Sequence, residues 1–139
     1  MTKKSILQKI LALLAKAMIR KYKPIIIGIT GSVGKTSAKE AIFAVLKKKY
    51  RVRRAEKNLN TEIGLPLAIL DAKYHHRNIS KWCIELVKIF RKVIFNFDYP
   101  DILILEYGVD HPGDMDYLLS IAKPKIAVVT AIGDIPVHV

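Results

Sequence analysis

With 139 residues and a formal net charge of +12, the chain is long enough for one domain with a real core and leaves little room for a second. About half its residues are hydrophobic and a quarter charged, a globular composition. The single cysteine, Cys83, excludes an internal disulfide framework and fits a reducing cytoplasm. No run reaches the roughly 18 apolar residues of a membrane span. The charge is lopsided: residues 1–60 hold 16 Lys/Arg against Glu40 and Glu56, while residues 61–139 hold 8 against 10 acids. A basic half suits a phosphate-rich ligand or an anionic surface. Nucleic acid is disfavoured as a partner, because neither zinc-finger spacing nor an aromatic-flanked basic motif accompanies the charge.

Residues 1–23 read as a basic amphipathic helix. Ile6, Leu7, Ile10, Leu11, Leu13, Leu14, Ala17 and Met18 recur at helical spacing among Lys3, Lys4, Lys9, Lys16, Arg20, Lys21 and Lys23. Such a helix either packs its apolar stripe on its own domain or lies on an anionic membrane through residues 3–20. Lys16 and the lack of a small-residue cleavage site argue against a signal peptide.

Residues 24–139 form the domain proper. Ile25–Thr30 predicts a buried strand. A helix follows from Lys35 to about Lys48, with Ala38, Ala41, Ile42, Val45 and Leu46 on one face. Arg51–Arg54 suits a short strand, and a polar loop runs through Asn60. Pro66 can start a short helix over Leu67–Asp71, and residues 72–80 read as loop. Trp82 to about Phe95 reads as a helix, with Ile84, Val87 and Phe90 or Arg91 nearly in register and Cys83 as a small core residue. Ile102–Leu105 is an apolar strand closed by Glu106. Gly113-Asp114 opens a helix over Met115–Ala122, stopped by Lys123-Pro124, and Ile126–Ala131 predicts a third buried strand. Strands that are apolar throughout, alternating with helices, give an α/β fold. The expected core is a P-loop NTPase-like, mostly parallel sheet with helices on both faces, truncated on its C-terminal side.

The chemistry centres on Gly31-Ser32-Val33-Gly34-Lys35-Thr36. A strand feeding a glycine-rich turn that ends in Gly-Lys-Thr and opens a helix is the layout of a phosphate-binding loop. Backbone N–H groups and a helix N-terminus face the anion, Lys35 reaches the β/γ-phosphates, and Thr36 sits on Mg²⁺. The general pattern wants Gly at position 29, where this chain has Ile. In an open parallel sheet ligands collect at the C-terminal strand ends, where Glu106 and His138 also fall. An acid after four apolar residues is costly to bury without a partner, which favours a metal ligand. A lone His near a chain end, by contrast, is as readily a surface residue. His75-His76 has no Cys or acid to complete a metal site, His111 suits loop positioning, and Asp110, Asp114 and Asp116 look like loop and helix-start acids.

Four blocks then stand in the order seen in Mur ligases, the ATP-dependent amide ligases of peptidoglycan precursor synthesis. They are Gly28-Ile-Thr-Gly-Ser-Val-Gly-Lys-Thr36, Asn58-Leu-Asn-Thr-Glu-Ile-Gly-Leu-Pro66, Leu105-Glu-Tyr-Gly-Val-Asp-His-Pro-Gly-Asp114 and Lys123-Pro-Lys-Ile-Ala-Val-Val-Thr-Ala-Ile-Gly133. From about residue 24 onward the chain resembles their central ATP-binding domain, most of all in the branch that adds D-alanyl-D-alanine to a UDP-muramoyl tripeptide. The resemblance implies that Lys35 and Thr36 hold ATP phosphates and Mg²⁺, that Glu106 and His138 ligate magnesium, and that Asn58 and Asn60 lie near nucleotide and acyl substrate. The spacer before His138 is longer than the family's usual one. The implied reaction turns a carboxylate of a UDP-muramoyl-peptide-type substrate into an acyl phosphate, which an amino acid or dipeptide amine attacks. The family's UDP-sugar domain is replaced here by the helix 3–23, and its modified lysine and amine-binding domain fall beyond Val139. The expectation is therefore an incomplete ligase, inactive alone. The contrasting one is a non-catalytic nucleotide-binding or membrane-surface module that retains the fold.

Overall fold

A computed structural model describes residues 3–55, 59–76, 78–95 and 97–133. The elements run α1 (Lys3–Tyr22), β1 (Ile25–Thr30), α2 (Lys35–Leu46), β2 (Val52–Arg54), α3 (Gly64–Leu70), α4 (Ile79–Ile94), β3 (Ile102–Glu106), α5 (Asp114–Ile121) and β4 (Ile126–Val129). The four strands form one parallel sheet in the order β2-β3-β1-β4.

Alternation along the strands divides the core in two. Ile27, Ile29, Ile102 and Ile104 face α2, where Ala38, Ile42, Phe43 and Leu46 cover them. Ile26, Leu103 and Leu105 face the opposite way, toward a layer built from α1, α3, α4 and α5. Because both faces of β1 and β3 are covered, these strands read as unbroken apolar runs. Every residue of α3 is buried, and burying each of Leu65, Leu67, Ile69 and Leu70 contributes about 1.5–3 kcal/mol. Helix α1 lies over α3 with Leu11, Ala15 and Met18 turned inward. Its apolar stripe is thus taken up in part by its own domain, with Ile6, Ile10 and Leu13 left exposed. The end of α1 is fixed to the end of α4: Lys21 Nζ donates to the carbonyls of Val93 (2.9 Å) and Phe95 (2.7 Å). Tyr22 also stacks on Tyr99, with ring centroids 4.6 Å apart.

Four expectations change. Helix α4 begins three residues earlier than predicted, where the Asn78 side chain accepts from the Lys81 amide at 3.0 Å. Its inward residues are Trp82, Glu85 and Ile89, whereas Ile84, Val87 and Phe90 are exposed and so is Cys83. On α2, Val45 and Ala41 face outward, and the one buried residue is Lys39. Among the described residues strand β4 lies at the sheet edge, with Ile126, Ala127 and Val129 exposed. An apolar run predicts a buried strand only where a helix or a further strand lies over it.

Candidate nucleotide and metal site

Strand register sets the site. β1 and β3 pair from Ile25↔Ile102 through Ile29↔Glu106, so the loop leaving β1 emerges beside the carboxylate that closes β3. Two glycines shape that loop. Gly31 has φ 134° and Gly34 φ 87°, in the region where side chains are strained. A Cβ on Gly31 would also lie 2.1 Å from Thr130 Oγ1. Gly34 caps α2 without any side chain accepting from the helix's first N–H groups. Those donors and the positive end of the helix dipole are left for an anion. Lys35 folds back so that Nζ donates to the Gly31 carbonyl at 2.5 Å, which places its charge inside the curve of the loop. Ser32, Val33 and Thr36 are exposed there.

The loop is held from both sides. Ser32 N donates to Ala131 O (2.8 Å), Gly133 N donates to Ser32 Oγ (3.1 Å), and Val33 bridges to Ala131. Thr130 Oγ1 donates to Thr30 O (3.1 Å), while Thr30 Oγ1 donates to Tyr107 O (3.1 Å). Tyr107 in turn donates its hydroxyl to Ala122 O at 2.6 Å, and burial pushes that phenol well above its ordinary pKa. Gly108 N donates to Asn60 O at 2.9 Å, and a Cβ on Gly108 would meet the Asn60 amide at 2.9 Å. Asn60 is thereby fixed at the same sheet end as Glu106.

Glu106 is buried, and its partner is a residue that the sequence reading passed over. Lys39, at 2% exposure, sets Nζ 2.7 Å from Glu106 Oε1 and donates to Ala55 O at 2.9 Å. One lysine therefore links α2, the segment after β2 and the end of β3. The signal was present: Lys39 follows Lys35 by one helical turn, on the face that includes Ile42 and Phe43. Lysines are seldom buried unless paired, so residue type alone does not single this one out.

The remaining candidates sort plainly. His75 Nε2 lies 3.2 Å from Glu85 Oε2, an acid from α4 that serves as a structural partner. Asp114 Oδ2 accepts from the amides of Asp110 (3.0 Å) and His111 (2.8 Å), and these backbone bonds hold its carboxyl below the usual aspartate value. His111 is exposed and helps to shape this loop. Asn58 and His138 lie outside the described residues. Among the described residues no three His, Cys, Asp or Glu side chains converge as a metal cage. The donors present, the Glu106 carboxylate and the Thr36 hydroxyl, are hard oxygens of the kind that suits Mg²⁺ when phosphate oxygens complete its shell.

Residues 29–135 match the Mur ligase middle domain. The UDP-N-acetylmuramoyl-tripeptide–D-alanyl-D-alanine ligase of Borreliella burgdorferi is 37% identical over 124 residues, which cover 89% of this chain and 22% of that protein. The Bacillus subtilis ligase of the same name is 35% identical over 121 residues, 87% of this chain and 21% of that protein. The crystal structure of MurF ligase from Thermotoga maritima in complex with ADP superimposes with a TM-score of 0.66 at 31% identity, covering 91% of this chain and 24% of that one. The chain thus spans under a quarter of the length of these relatives. The match over residues 29–135, together with the parallel sheet, places the chain in the Mur ligase family, within the middle domain.

Proposed function

We propose that this chain is the nucleotide-binding part of an ATP-dependent amide ligase of peptidoglycan precursor synthesis. The observation that carries the reading is the Gly31–Thr36 loop: an uncapped helix N-terminus and an inward-folded Lys35, set by strand register beside Glu106. The backbone amides of the Gly31–Thr36 loop other than that of Ser32, which already donates to Ala131 O, bind the phosphates, and Lys35 swings from the Gly31 carbonyl onto the β/γ-phosphates. Thr36 and Glu106 would hold Mg²⁺, with His138 as a further ligand. Mg²⁺ supplies charge neutralisation on the transferring phosphoryl group. Lys35 and the helix N-terminus stabilise the same developing charge from the protein side. Asn60, fixed against Gly108, borders the place where the acyl substrate presents its carboxylate. The carboxylate takes the γ-phosphoryl group of ATP and ADP leaves, giving an acyl phosphate; attack by an amine then forms the amide and releases inorganic phosphate. By likeness to the named relatives, the acyl substrate is a UDP-muramoyl peptide and the amine an amino acid or D-alanyl-D-alanine. A cytoplasmic setting follows from ATP use, and no helix among the described residues is long and apolar enough to cross a membrane.

Calorimetric titration of the chain with ADP and MgCl₂ tests the reading. Saturable binding is expected, weakened at least tenfold in Lys35→Ala with the fold retained. Absence of binding, or an unchanged Lys35→Ala variant, would overturn it and leave a non-catalytic module.

A further inference from the structure

A buried ammonium stands beside the carboxylate proposed to bind metal. Lys39 is 2% exposed, and its Nζ is 2.7 Å from Glu106 Oε1. The Glu106 side chain keeps 11% exposure, so the carboxylate is paired without being sealed off. Lys39 follows Lys35 by one helical turn. The helix whose N-terminus faces the proposed phosphate site therefore also carries the counter-ion of Glu106. A second tie fixes the ammonium in place. Nζ donates to the Ala55 carbonyl at 2.9 Å, which leaves it hydrogen-bonded when Glu106 turns to another cation. That tie matters, because a buried ammonium with no partner is costly.

Charge at this end of the sheet decides what the pair does for a metal. Thr36 and Asn60 are neutral, Lys35 and Lys39 are cationic, and Glu106 supplies one carboxylate, which Lys39 already neutralises. Among the described residues no cluster of three acids, histidines or cysteines offsets these lysines. A bare divalent cation therefore meets no net negative charge there, and an ammonium stands at one of the oxygens it needs. Nucleotide phosphates reverse that balance. They engage Lys35 and the α2 N-terminus, and they bring hard oxygens that suit Mg²⁺ together with a single carboxylate. Metal and nucleotide then load together, and the metal does not load first. A pair that only stabilised the fold would leave metal affinity unmoved by its removal, which separates the two roles.

Resting on the reading of Glu106 as a metal ligand, we propose that Lys39 is a positioning residue and internal counter-ion. It keeps Glu106 from holding a divalent cation until nucleotide phosphates are bound. The test is Mn²⁺ titration of the chain with and without ADP, read by electron paramagnetic resonance and corrected for Mn²⁺ held by free ADP. In the wild-type chain Mn²⁺ is expected to bind at least about tenfold more tightly with ADP than alone. Lys39→Gln removes the charge and keeps a donor for the Ala55 carbonyl. It is expected to raise nucleotide-free Mn²⁺ affinity by about tenfold and to shrink the difference that ADP makes. Lys39→Gln/Glu106→Gln should return to the weak wild-type value, with circular dichroism checking that each variant is folded. Wild-type Mn²⁺ affinity indifferent to ADP, although ADP binds, would overturn the proposal without any variant. So would a folded Lys39→Gln with unchanged nucleotide-free affinity, or a gain that survives in the double variant. Failure of ADP to bind at all is a different result: it removes the nucleotide reading, and this proposal with it.

Discussion

β3 and β4 are both short apolar strands of one parallel sheet, yet all five residues of β3 are buried while Ile126, Ala127 and Val129 of β4 are exposed. The difference lies in their neighbours. β3 has a strand on each side and helices over both faces, whereas among the described residues β4 pairs only with β1. Sequence character states what a strand can bury; sheet order decides what it does bury.

The sharpest way to break the comparison acts at the buried end of β3. Lys39→Met leaves Glu106 without its cation and is expected to cost about 3–5 kcal/mol, and Lys39→Met/Glu106→Leu should recover much of that. Urea unfolding of the three proteins reads this directly. A pair contributing nothing would leave Lys39→Met at wild-type stability. Within the strands, Leu103→Ala should cost about 2–5 kcal/mol and Val129→Ala no more than about 0.5 kcal/mol. Equal losses in the same assay would show that β4 is covered in solution.

Gly31→Ala probes the link between the loop and the segment after β4. Strain at a positive φ together with contact on Thr130 should cost about 1–3 kcal/mol and weaken ADP binding further than stability alone explains. Calorimetry beside thermal unfolding separates the two. The smallest effect is set by pH. Burial works to raise the Glu85 carboxyl, but hydrogen bonds from His75 and the Lys73 amide, with the charge of Lys88, outweigh it and hold the group below the usual glutamate value. A depressed folded pKa gives stability that is complete above the unfolded value of about 4.3 and is lost as pH falls through the folded one. Glu85→Gln should therefore flatten the acid limb of a stability–pH curve below about pH 4.3 and leave other limbs unchanged.

The sequence made the loop, the α/β alternation and the Glu at a strand end legible, because each depends on local spacing. The loop needs Gly31 and Gly34 at its turns, and Glu106 follows four apolar residues. What escaped was pairwise. Glu106 looked orphaned because Lys39, 67 positions earlier, resembles any helix-surface lysine. The α4 register differs from expectation for a related reason: the helix is apolar over more than one face, and periodicity does not say which part meets the core. Cys83 is at the surface as part of that register.

The threonine ties around the phosphate loop have a consequence for motion. Thr30, Thr130, Ser32 and Gly133 join the loop to the segment leaving β4, so a displacement of the loop has to stretch or break those hydrogen bonds. Stiffness at the proposed phosphate site is therefore governed partly by the segment that leaves β4. A strand or chain segment pairing there would quiet the loop before any nucleotide arrived, reducing the entropy lost on binding.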